Sequence, residues 1–269
     1  MPALSLDQFR ARFPIFTRRC YVNSCSQGAL STDVEEALRC WLDSWQQSGS
    51  PWEMWVETVE TLRAEFAASI GAGRDEIAIV ASATAGLNAI ASALDFGGPR
   101  NEVVLGEFEF PTTAHPWLAQ ARRGATVKWA RAAGDLLPID AYQPVVSERT
   151  LIVPATHVCF RNGHRTDIRA LTALAHAHGA YVFLDDYQRT GSGPIEVHEL
   201  GIDFMVTGAL KYLIAAAGIG FLYVRRELIE RLEPTVTGWF GRLNPFAYDH
   251  TTLDWAGTAS RFEGGTPAV

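Results

Sequence analysis

Lysine is almost absent from this 269-residue sequence. Of its 23 lysine and arginine residues, only Lys128 and Lys211 are lysines. Lys211 stands between two mainly apolar stretches, residues 203–210 and 212–224. An isolated ammonium in such surroundings is costly to desolvate, so burial either lowers its pKa or requires a partner. The scarcity of lysine therefore makes the placement of Lys211 informative.

Positive net charge and long apolar runs are also absent. The formal net charge is −7, with 20% charged and 48% hydrophobic residues. There is thus no electrostatic reason to expect nucleic acid or an anionic membrane surface as a partner. The longest apolar run, residues 213–224, is too short and too interrupted by glycine to cross a bilayer. The composition indicates a soluble, mildly acidic globular protein.

Cysteine is sparse, and several catalytic motifs are missing. The four cysteines form neither a CxxC pair nor a disulfide-like framework, so we interpret them as reduced thiols and expect a cytoplasmic location. There is no GxSxG, no GxxxxGK[ST], and no GxGxxG after the first predicted strand, which argues against the standard serine hydrolase, P-loop and dinucleotide-binding motifs. His176 and His178 are two residues apart on a predicted helix and face different ways, so we expect no zinc site there.

From residue 75 onward, short β-branched or apolar runs alternate with helical patterns such as residues 167–179. Most runs are continuous, which is typical of strands covered on both faces. The predicted strands are residues 77–81, 102–106, 150–154, 180–185, 203–207 and 219–224, with a weaker one at 125–129. The pattern predicts an α/β fold with a mainly parallel seven-stranded sheet and helices on both faces. Two tryptophan-rich helices, about 33–47 and 51–70, precede it.

Ligands of open α/β sheets bind beyond the carboxyl ends of the strands, so the residues after each strand are the candidates for a site. These residues include a predicted helix start with hydroxyl groups, an aromatic ring, two acids and a lysine: Ser82, Ala83, Thr84, Phe110, Asp185, Asp186, Thr207 and Lys211. A lysine nucleophile beside an acid and a phosphate-sized helix N-terminus suits a carbonyl cofactor held as a Schiff base.

Pyridoxal 5'-phosphate requires all of these groups. The lysine forms the imine, a carboxylate keeps the pyridine nitrogen protonated, a helix N-terminus takes the phosphate, and an aromatic ring stacks on the cofactor. We therefore predict that this cofactor is bound through Lys211 and that the substrate is an amino acid or a related amine.

The segment 184–213, "LDDYQRTGSGPIEVHELGIDFMVTGALKYL", resembles the signature of the aminotransferase class V family of fold type I enzymes. In that family an Asp-x-x-Gln pair precedes the Schiff-base lysine by about two dozen residues, and Asp185, Gln188 and Lys211 match this pattern. The resemblance implies that Asp185 pairs with the pyridine nitrogen and that Gln188 bonds the phenolic oxygen. It also implies that Lys211, once freed by the substrate amine, moves the Cα proton.

The resemblance extends over nearly the whole chain. "YVNSCSQGALS" is similar to the family's N-terminal substrate loop, "SATAGLN" to its phosphate loop, "THVCFRNGHRTDI" to its segment over the cofactor, and "RFEGGTP" to its entry to the small domain. By that analogy Ala83, Thr84 and Thr207 belong to the cofactor site, and Phe110 stacks on the ring. Trp239 and Thr266 would reach the phosphate of a partner subunit, which implies a homodimer with shared active sites.

Within the class, the segments "EFEFPT", "LKYL" and "GWFG" are most similar to kynureninase. Kynureninases carry His at the position of Gln188 and usually an aromatic residue at that of Leu210. Cysteine desulfurases typically place Asn at the position of Phe160 and His at that of Leu210. The reaction therefore stays open between transamination, epimerisation and a lyase or desulfurase reaction.

The sequence leaves several alternatives open. Asp186 could be the functional acid, although adjacent strand residues point to opposite faces and only Asp185 keeps the spacing. Ser82 and Thr84 could simply cap a helix, and Phe110 could belong to the core. A non-catalytic relative is one rival function, and a doubly wound nucleotide-binding protein with Lys211 at a phosphate is another.

The domain arrangement is likewise an expectation. We expect an N-terminal arm at residues 1–20, a large cofactor-binding domain at 21–235, and the start of a small domain at 236–269 that is cut short. The resemblance implies that the small domain normally supplies the arginine that grips the substrate carboxylate. Arg161 or Arg165 would have to replace that arginine in a shortened chain.

Overall fold

The fold is built around one seven-stranded sheet. The computed structural model describes residues 4–267. The strands are β1 Ile77–Val80, β2 Glu102–Gly106, β3 Thr126–Ala130, β4 Thr150–Thr156, β5 Tyr181–Asp185, β6 Phe204–Gly208 and β7 Gly220–Val224. Each lies within one or two residues of a predicted strand, so the prediction of an α/β fold with seven strands is confirmed.

The sheet is mainly parallel, with one reversed strand. The strand order is β1-β7-β6-β5-β4-β2-β3, and β7 is antiparallel to both β1 and β6. The other neighbouring pairs are parallel. Only residues 209–219 separate β6 from β7, and a parallel return needs a crossover of about a dozen residues or more, usually a helix. The short connection therefore gives the antiparallel pairing, and it places Lys211 beyond the carboxyl end of β6.

Helices surround the sheet. They are α1 Leu6–Ala11, α2 Thr32–Ser48, α3 Trp52–Ser69, α4 Ala83–Ala93, α5 Pro111–Ala119, α6 Ile168–Ala177, α7 Val197–Leu200 and α8 Arg226–Ile229. Ser31, Ser82 and Asp167 each accept a backbone N–H in the first turn of α2, α4 and α6. These caps satisfy donors that a helix N-terminus leaves open, which explains where the three helices begin. Within residues 4–267, no helix is long and apolar enough to cross a membrane.

The core has two layers, one on each face of the sheet. Ile77 and Ile79 of β1 pack in a buried cluster with residues of α3 and α6. Ala78 and Val80 of the same strand pack in a second cluster with residues of α4 and α5. Successive strand residues point to opposite faces, so continuous apolar strands are buried on both sides. The predicted placement of helices on both faces is confirmed.

The segment after α8 returns to the first strand. A short 3-10 helix, Ala259–Phe262, precedes Glu263, whose side chain is buried. The Glu263 carboxylate pairs with Arg63 of α3 and accepts the N–H of Ile79 at 2.9 Å. Because Arg63 is buried as well, these bonds fix the segment to β1 and α3.

An exposed aromatic surface lies beside α2 and α3. None of the α2 residues is buried, and Leu38, Leu42 and Trp45 are exposed along one stripe of the helix. Trp52 of α3 contacts Trp239 edge-to-face, with 6.2 Å between the ring centroids. We call this group the tryptophan cluster; its members are Trp41, Trp45, Trp52, Trp55, Trp239, Phe240, Phe246 and Tyr248.

Candidate active site

Lys211 lies in the loop between β6 and β7. The loop closes at its base, where the N–H of Ala209 donates to the carbonyl of Ile219 at 3.1 Å. The side chain of Lys211 is half-buried between two rings. Its Nζ lies 4.5 Å from the ring centroid of Tyr187 and 5.6 Å from that of Phe110. The amine is thus held against aromatic faces at the carboxyl edge of the sheet.

The environment of Lys211 favours the neutral amine. Burial lowers the pKa of Lys211 because desolvation disfavours the ammonium, while Asp185 and Cys25 act in the opposite direction. A lowered pKa leaves more of the amine unprotonated at a given pH, and the unprotonated amine is the nucleophile.

An N-terminal loop packs directly against the lysine loop. The N–H of Gly28 donates to the carbonyl of Leu210 at 2.7 Å. A Cβ atom at position 28 would lie only 2.5 Å from the carbonyl oxygen of Lys211. Glycine is therefore required for this close approach, which brings the segment around Cys25 and Ser26 to the site.

Asp185 ends β5 and points into the same space as Lys211. Its Oδ2 accepts the hydroxyl of Thr113 at 2.6 Å, and its Oδ1 accepts the N–H of Tyr187 at 3.1 Å. Burial raises the pKa of Asp185, while these two hydrogen bonds and the charge of Lys211 oppose the rise. A positively charged ligand atom beside this carboxylate would offset the remaining cost of burying its negative charge.

Asp186 points to the other side of the strand end. It is fully buried, and its carboxylate is bonded by His157 Nδ1 at 2.6 Å and by the hydroxyl of Thr190 at 2.6 Å. Of the two adjacent acids, the structure therefore brings only Asp185 to the candidate site.

The N-terminus of α4 forms another wall of the site. Ser82 accepts the N–H groups of Ala85 and Gly86, whereas the N–H groups of Ala83 and Thr84 have no acceptor among residues 4–267. Such donors at the positive end of a helix are suited to an anion. Strand β7 passes very close, because a Cβ at Gly220 would lie 2.9 Å from the carbonyl carbon of Ser82.

Aromatic rings form the wall opposite. Phe110, at the N-cap of α5, packs edge-to-face on Phe160 with 5.1 Å between the ring centroids. Phe110 is 40% exposed, so it is not a core residue. Its ring lines the cavity described below and can stack on a flat ligand there. Gln188 closes a further side, and its amide nitrogen donates to the carbonyl of Cys25 at 3.0 Å.

These groups enclose a cavity of about 290 Å³. It is lined by Ser26, Ser82, Ala83, Thr84, Phe110, Thr112, Thr156, Val158, Phe160, Asp185, Tyr187, Gln188, Leu210 and Lys211. Six residues predicted for the site line it: Ala83, Thr84, Phe110, Asp185, Gln188 and Lys211. The structure thus places an amine, an acid, open helix N–H donors and an aromatic ring, all predicted from the sequence, around one cavity.

Three predicted residues do not line this cavity. Thr207 is buried in β6, and its hydroxyl has no hydrogen-bond partner within the described chain. Trp239 lies in the tryptophan cluster, and Thr266 is exposed beside Gly264 and Gly265. The last two were assigned to a partner's site, so their roles stay predictions.

The two arginines considered as carboxylate anchors also lie outside the cavity lining. The guanidinium of Arg161 stacks near Phe160, 5.8 Å from its ring centroid. Arg165 lines a separate groove with His157.

Sequence reasoning missed several residues of the site, among them Thr113, Tyr187 and Thr156. Thr113 and Tyr187 bond Asp185, and Thr156 lines the cavity from the end of β4. Thr113 lies one helical turn after Phe110 and directly follows the quoted EFEFPT segment, and Tyr187 lies inside the Asp-x-x-Gln segment, so both stand in or beside quoted motifs. Thr156 had no comparable signal.

A larger cleft, about 1040 Å³, opens at the opposite edge of the sheet. His176 and His198 line it, and each is bonded to a buried acid, Asp203 and Glu76 respectively, at 2.9 Å. None of the described residues that line it is a lysine. The smaller cavity is therefore the better candidate for covalent chemistry.

Comparison with known proteins assigns the family. Residues 47–269 match the sequence profile described as aminotransferase class-V. The chain belongs to this family. An uncharacterized aminotransferase of Bacillus subtilis, YcbU, is 38% identical over 264 residues, covering 97% of this chain and 69% of that protein.

Other relatives of this class V member are named as a cysteine desulfurase and a kynureninase. A probable cysteine desulfurase 2 of Mycobacterium leprae is 31% identical over 287 residues, covering 98% of this chain and 67% of the relative. A kynureninase of Deinococcus radiodurans is 30% identical over 293 residues, covering 100% of this chain and 70% of the relative. The relatives thus include more than one kind of reaction.

Solved structures share the fold of this class V chain. The cystine C–S lyase C-DES in complex with its product cysteine persulfide superposes with a TM-score of 0.86 at 23% identity, covering 95% of this chain and 69% of C-DES. The apo cysteine desulfurase of Thermococcus onnurineus gives 0.85 at 21% identity, covering 100% and 68%. These likenesses establish a fold type I architecture.

The cofactor of this class V enzyme is pyridoxal 5'-phosphate, and the cavity suits it. The two open N–H donors at α4 suit its phosphate, and the Phe110 ring suits its flat pyridine. The buried Asp185 carboxylate suits its protonated ring nitrogen. The size of the cavity, about 290 Å³, also suits a small cofactor.

Proposed function

We propose that this chain attaches its cofactor covalently through Lys211 and acts on the amino group of an amino acid or related amine. The observation that carries the proposal is the meeting of the half-buried Lys211 amine, the buried Asp185 carboxylate and the open N-terminus of α4 in one cavity. Family membership supports the cofactor, and the geometry supports the assignment of residues to its parts.

Lys211 would act twice. Its lowered pKa makes the neutral amine available to bind the cofactor's carbonyl carbon. After a substrate amine displaces it, the same Nζ would take the proton from the substrate Cα and return a proton to the product. The aromatic faces of Tyr187 and Phe110 restrict where this amine can move.

Asp185 would hold the proton of the pyridine nitrogen. When bound, the cofactor supplies an electron-withdrawing ring that stabilises negative charge at the substrate Cα. Asp185 serves this function if its carboxylate stays charged, and Thr113 and Tyr187 each stabilise that charge with a hydrogen bond. Gln188 would donate to the phenolic oxygen after leaving the carbonyl of Cys25, and Ala83 and Thr84 would bind the phosphate.

The substrate reaction falls between transamination and a lyase of the kynureninase or desulfurase type. The relatives support both, because they include an aminotransferase, cysteine desulfurases and kynureninases. The apolar wall formed by Phe160, Val158 and Leu210 would exclude water from the Cα side of the site.

The first prediction is that Lys211 carries the cofactor. The purified protein would be loaded with pyridoxal 5'-phosphate, reduced with borohydride, and mapped for the pyridoxyl adduct. We expect the adduct on Lys211 in the wild type and in Lys128→Ala, and its loss in Lys211→Ala. Lys128 is a matched control because it is the other lysine and its Nζ is ion-paired to Glu102 at 2.9 Å. An adduct on Lys128 in the Lys211→Ala protein would contradict the proposal.

A further inference from the structure

Glu109 lies directly before Phe110, in the turn between β2 and α5. Its carboxyl group is bonded twice to Thr156: the N–H donates to Oε1 at 3.0 Å, and the Thr156 hydroxyl lies 2.7 Å from Oε2. Thr156 is the last residue of β4 and stands opposite Asp185 in the β4–β5 ladder. Glu109 thus joins the turn that carries Phe110 to the strand end beside Asp185.

The same turn is attached to Asp185 a second time. Thr113, in the first turn of α5, donates its hydroxyl to Asp185 Oδ2 at 2.6 Å, and its N–H donates to the carbonyl of Phe110 at 2.8 Å. Phe110 therefore stands between two anchors, Glu109 on one side and Thr113 on the other. Thr113 bonds Asp185 directly, and Glu109 bonds Thr156, which is the neighbour of Asp185 in the sheet.

The charges around Glu109 favour a protonated carboxyl. No cation forms an ion pair with it among residues 4–267. Burial raises the pKa of Glu109 to about 8, the two bonds from Thr156 oppose this rise, and Asp185 on β5 adds to it. On another side lies Tyr142, whose buried hydroxyl has no partner in the described chain and whose pKa is also raised by burial. The cation of the site, Lys211, lies near Asp185.

We propose that Glu109 is a positioning residue for the cofactor site. Its carboxyl bonds Thr156 and so attaches the turn that carries Phe110 to the end of β4. This attachment keeps the Phe110 ring and Asp185 in a fixed arrangement. This role rests on the proposed function. The raised pKa favours the neutral form of this carboxyl at neutral pH, and Asp185 is the carboxylate that lines the cavity.

The first arm of the test measures thermal unfolding without added cofactor, from about pH 5 to pH 9. A carboxyl whose pKa is raised on folding binds its proton more tightly in the folded chain, so its contribution to stability falls as pH rises from the unfolded value toward about 8. Glu109→Gln keeps the reach to Thr156 and removes the titration. We expect the melting temperature of Glu109→Gln, relative to that of the wild type, to rise with pH up to about 8 and to change little above it.

Glu107→Gln is the matched control. Glu107 lies in the same turn, but it is bonded to Arg131 at 3.0 Å and to the N–H of Ala132, and these bonds hold its pKa below the usual value. Its contribution to stability is therefore lost only as pH falls, so Glu107→Gln should not gain on the wild type at higher pH. A pH-independent difference between Glu109→Gln and the wild type would overturn the proposal.

The second arm measures cofactor affinity by titrating the visible absorption band. Glu109→Gln should stay close to the wild type, whereas Glu109→Ala should bind about tenfold more weakly, because loss of one anchor removes on the order of one hydrogen bond. Thr156→Val removes the hydroxyl bond to Oε2 and keeps the backbone bond to Oε1, so it should weaken binding by a smaller factor, which serves if Glu109→Ala does not fold. Equal losses in Glu109→Gln and Glu109→Ala would overturn the proposal. The stability arm uses no cofactor, so it is independent of whether Lys211 carries the adduct.

Discussion

Asp185 and Asp186 show that a shift of one residue along the chain changes the surroundings of a carboxylate completely. The two acids are neighbours in sequence, yet one lines the cavity and the other is enclosed by His157 and Thr190. The difference follows from the alternation of side chains along a strand, which continues to the last residue of β5. Both carboxylates accept two hydrogen bonds, but only that of Asp185 also lines the cavity and can serve a ligand, while that of Asp186 stabilises the strand end.

The second prediction separates these two acids. Asp185→Asn removes a charge-assisted bond to the pyridinium worth about 1.5–3 kcal/mol and abolishes its electron-withdrawing state. We expect the amino acid-dependent change of the absorption band to slow far more than cofactor affinity falls. Asp186→Asn should instead lower the melting temperature, because the amide has no charge and offers one acceptor oxygen where His157 and Thr190 each use one. If Asp186→Asn slows the reaction and Asp185→Asn does not, the assignment is wrong by one residue.

At the scale of elements, strand positions were predictable and strand direction was not. Continuous apolar runs such as 77–81 and 219–224 identified β1 and β7, because strands buried on both faces exclude polar residues. The reversal of β7 depends on the connection 209–219, where no pattern indicated a turn. Likewise, the motif residues Lys211 and Asp185 were found from spacing, whereas Thr156 and Glu109 matter through contacts between β4 and the turn after β2. Such contacts join residues that are 47 apart in the chain, which local patterns do not register.

The third prediction concerns the packing of β7 on the start of α4. In Gly220→Ala the new methyl group would lie 2.9 Å from the carbonyl carbon of Ser82 and 3.1 Å from the nitrogen of Ala83. Relieving this overlap must shift the helix start that holds the open N–H donors, at a cost of about 1–3 kcal/mol. We expect weaker binding of pyridoxal 5'-phosphate and of inorganic phosphate, measured by titration calorimetry. Gly257→Ala, where the added methyl meets nothing within 4 Å, should behave as the wild type.

At the scale of the whole molecule, the exposed stripe of α2 and the tryptophan cluster support the proposed homodimer. Leu38, Leu42 and Trp45 expose apolar surface along one helix, and Trp239 is part of the adjoining cluster. Exposed apolar surface of this kind is typical of an interface. The proposed reach of Trp239 and Thr266 into a partner's phosphate site agrees with their position outside the cavity of their own chain. The domain limits, 21–235 and 236–269, stay predictions.

The fourth prediction tests whether the sites are shared between subunits. Trp239→Ala should weaken cofactor binding, and mixing it with Lys211→Ala should restore one intact site per mixed dimer, because each mutant would supply what the other lacks. Cofactor affinity and sedimentation of the mixture measure this. A protein that sediments as a monomer yet binds the cofactor tightly would rule out sharing, as would a mixture no better than its components.

The near absence of lysine has a consequence for chemical selectivity. An aldehyde cofactor condenses with unprotonated amines, and a guanidinium, which stays charged at physiological pH, does not compete for it. Twenty-one of the 23 basic residues are arginines, and the other lysine, Lys128, is ion-paired with the carboxylate of Glu102. Among the side chains, the reagent therefore meets one amine whose surroundings favour the reactive form. Because nearly every basic residue is an arginine, the chain offers few other side-chain amines with which a bound aldehyde could form an imine.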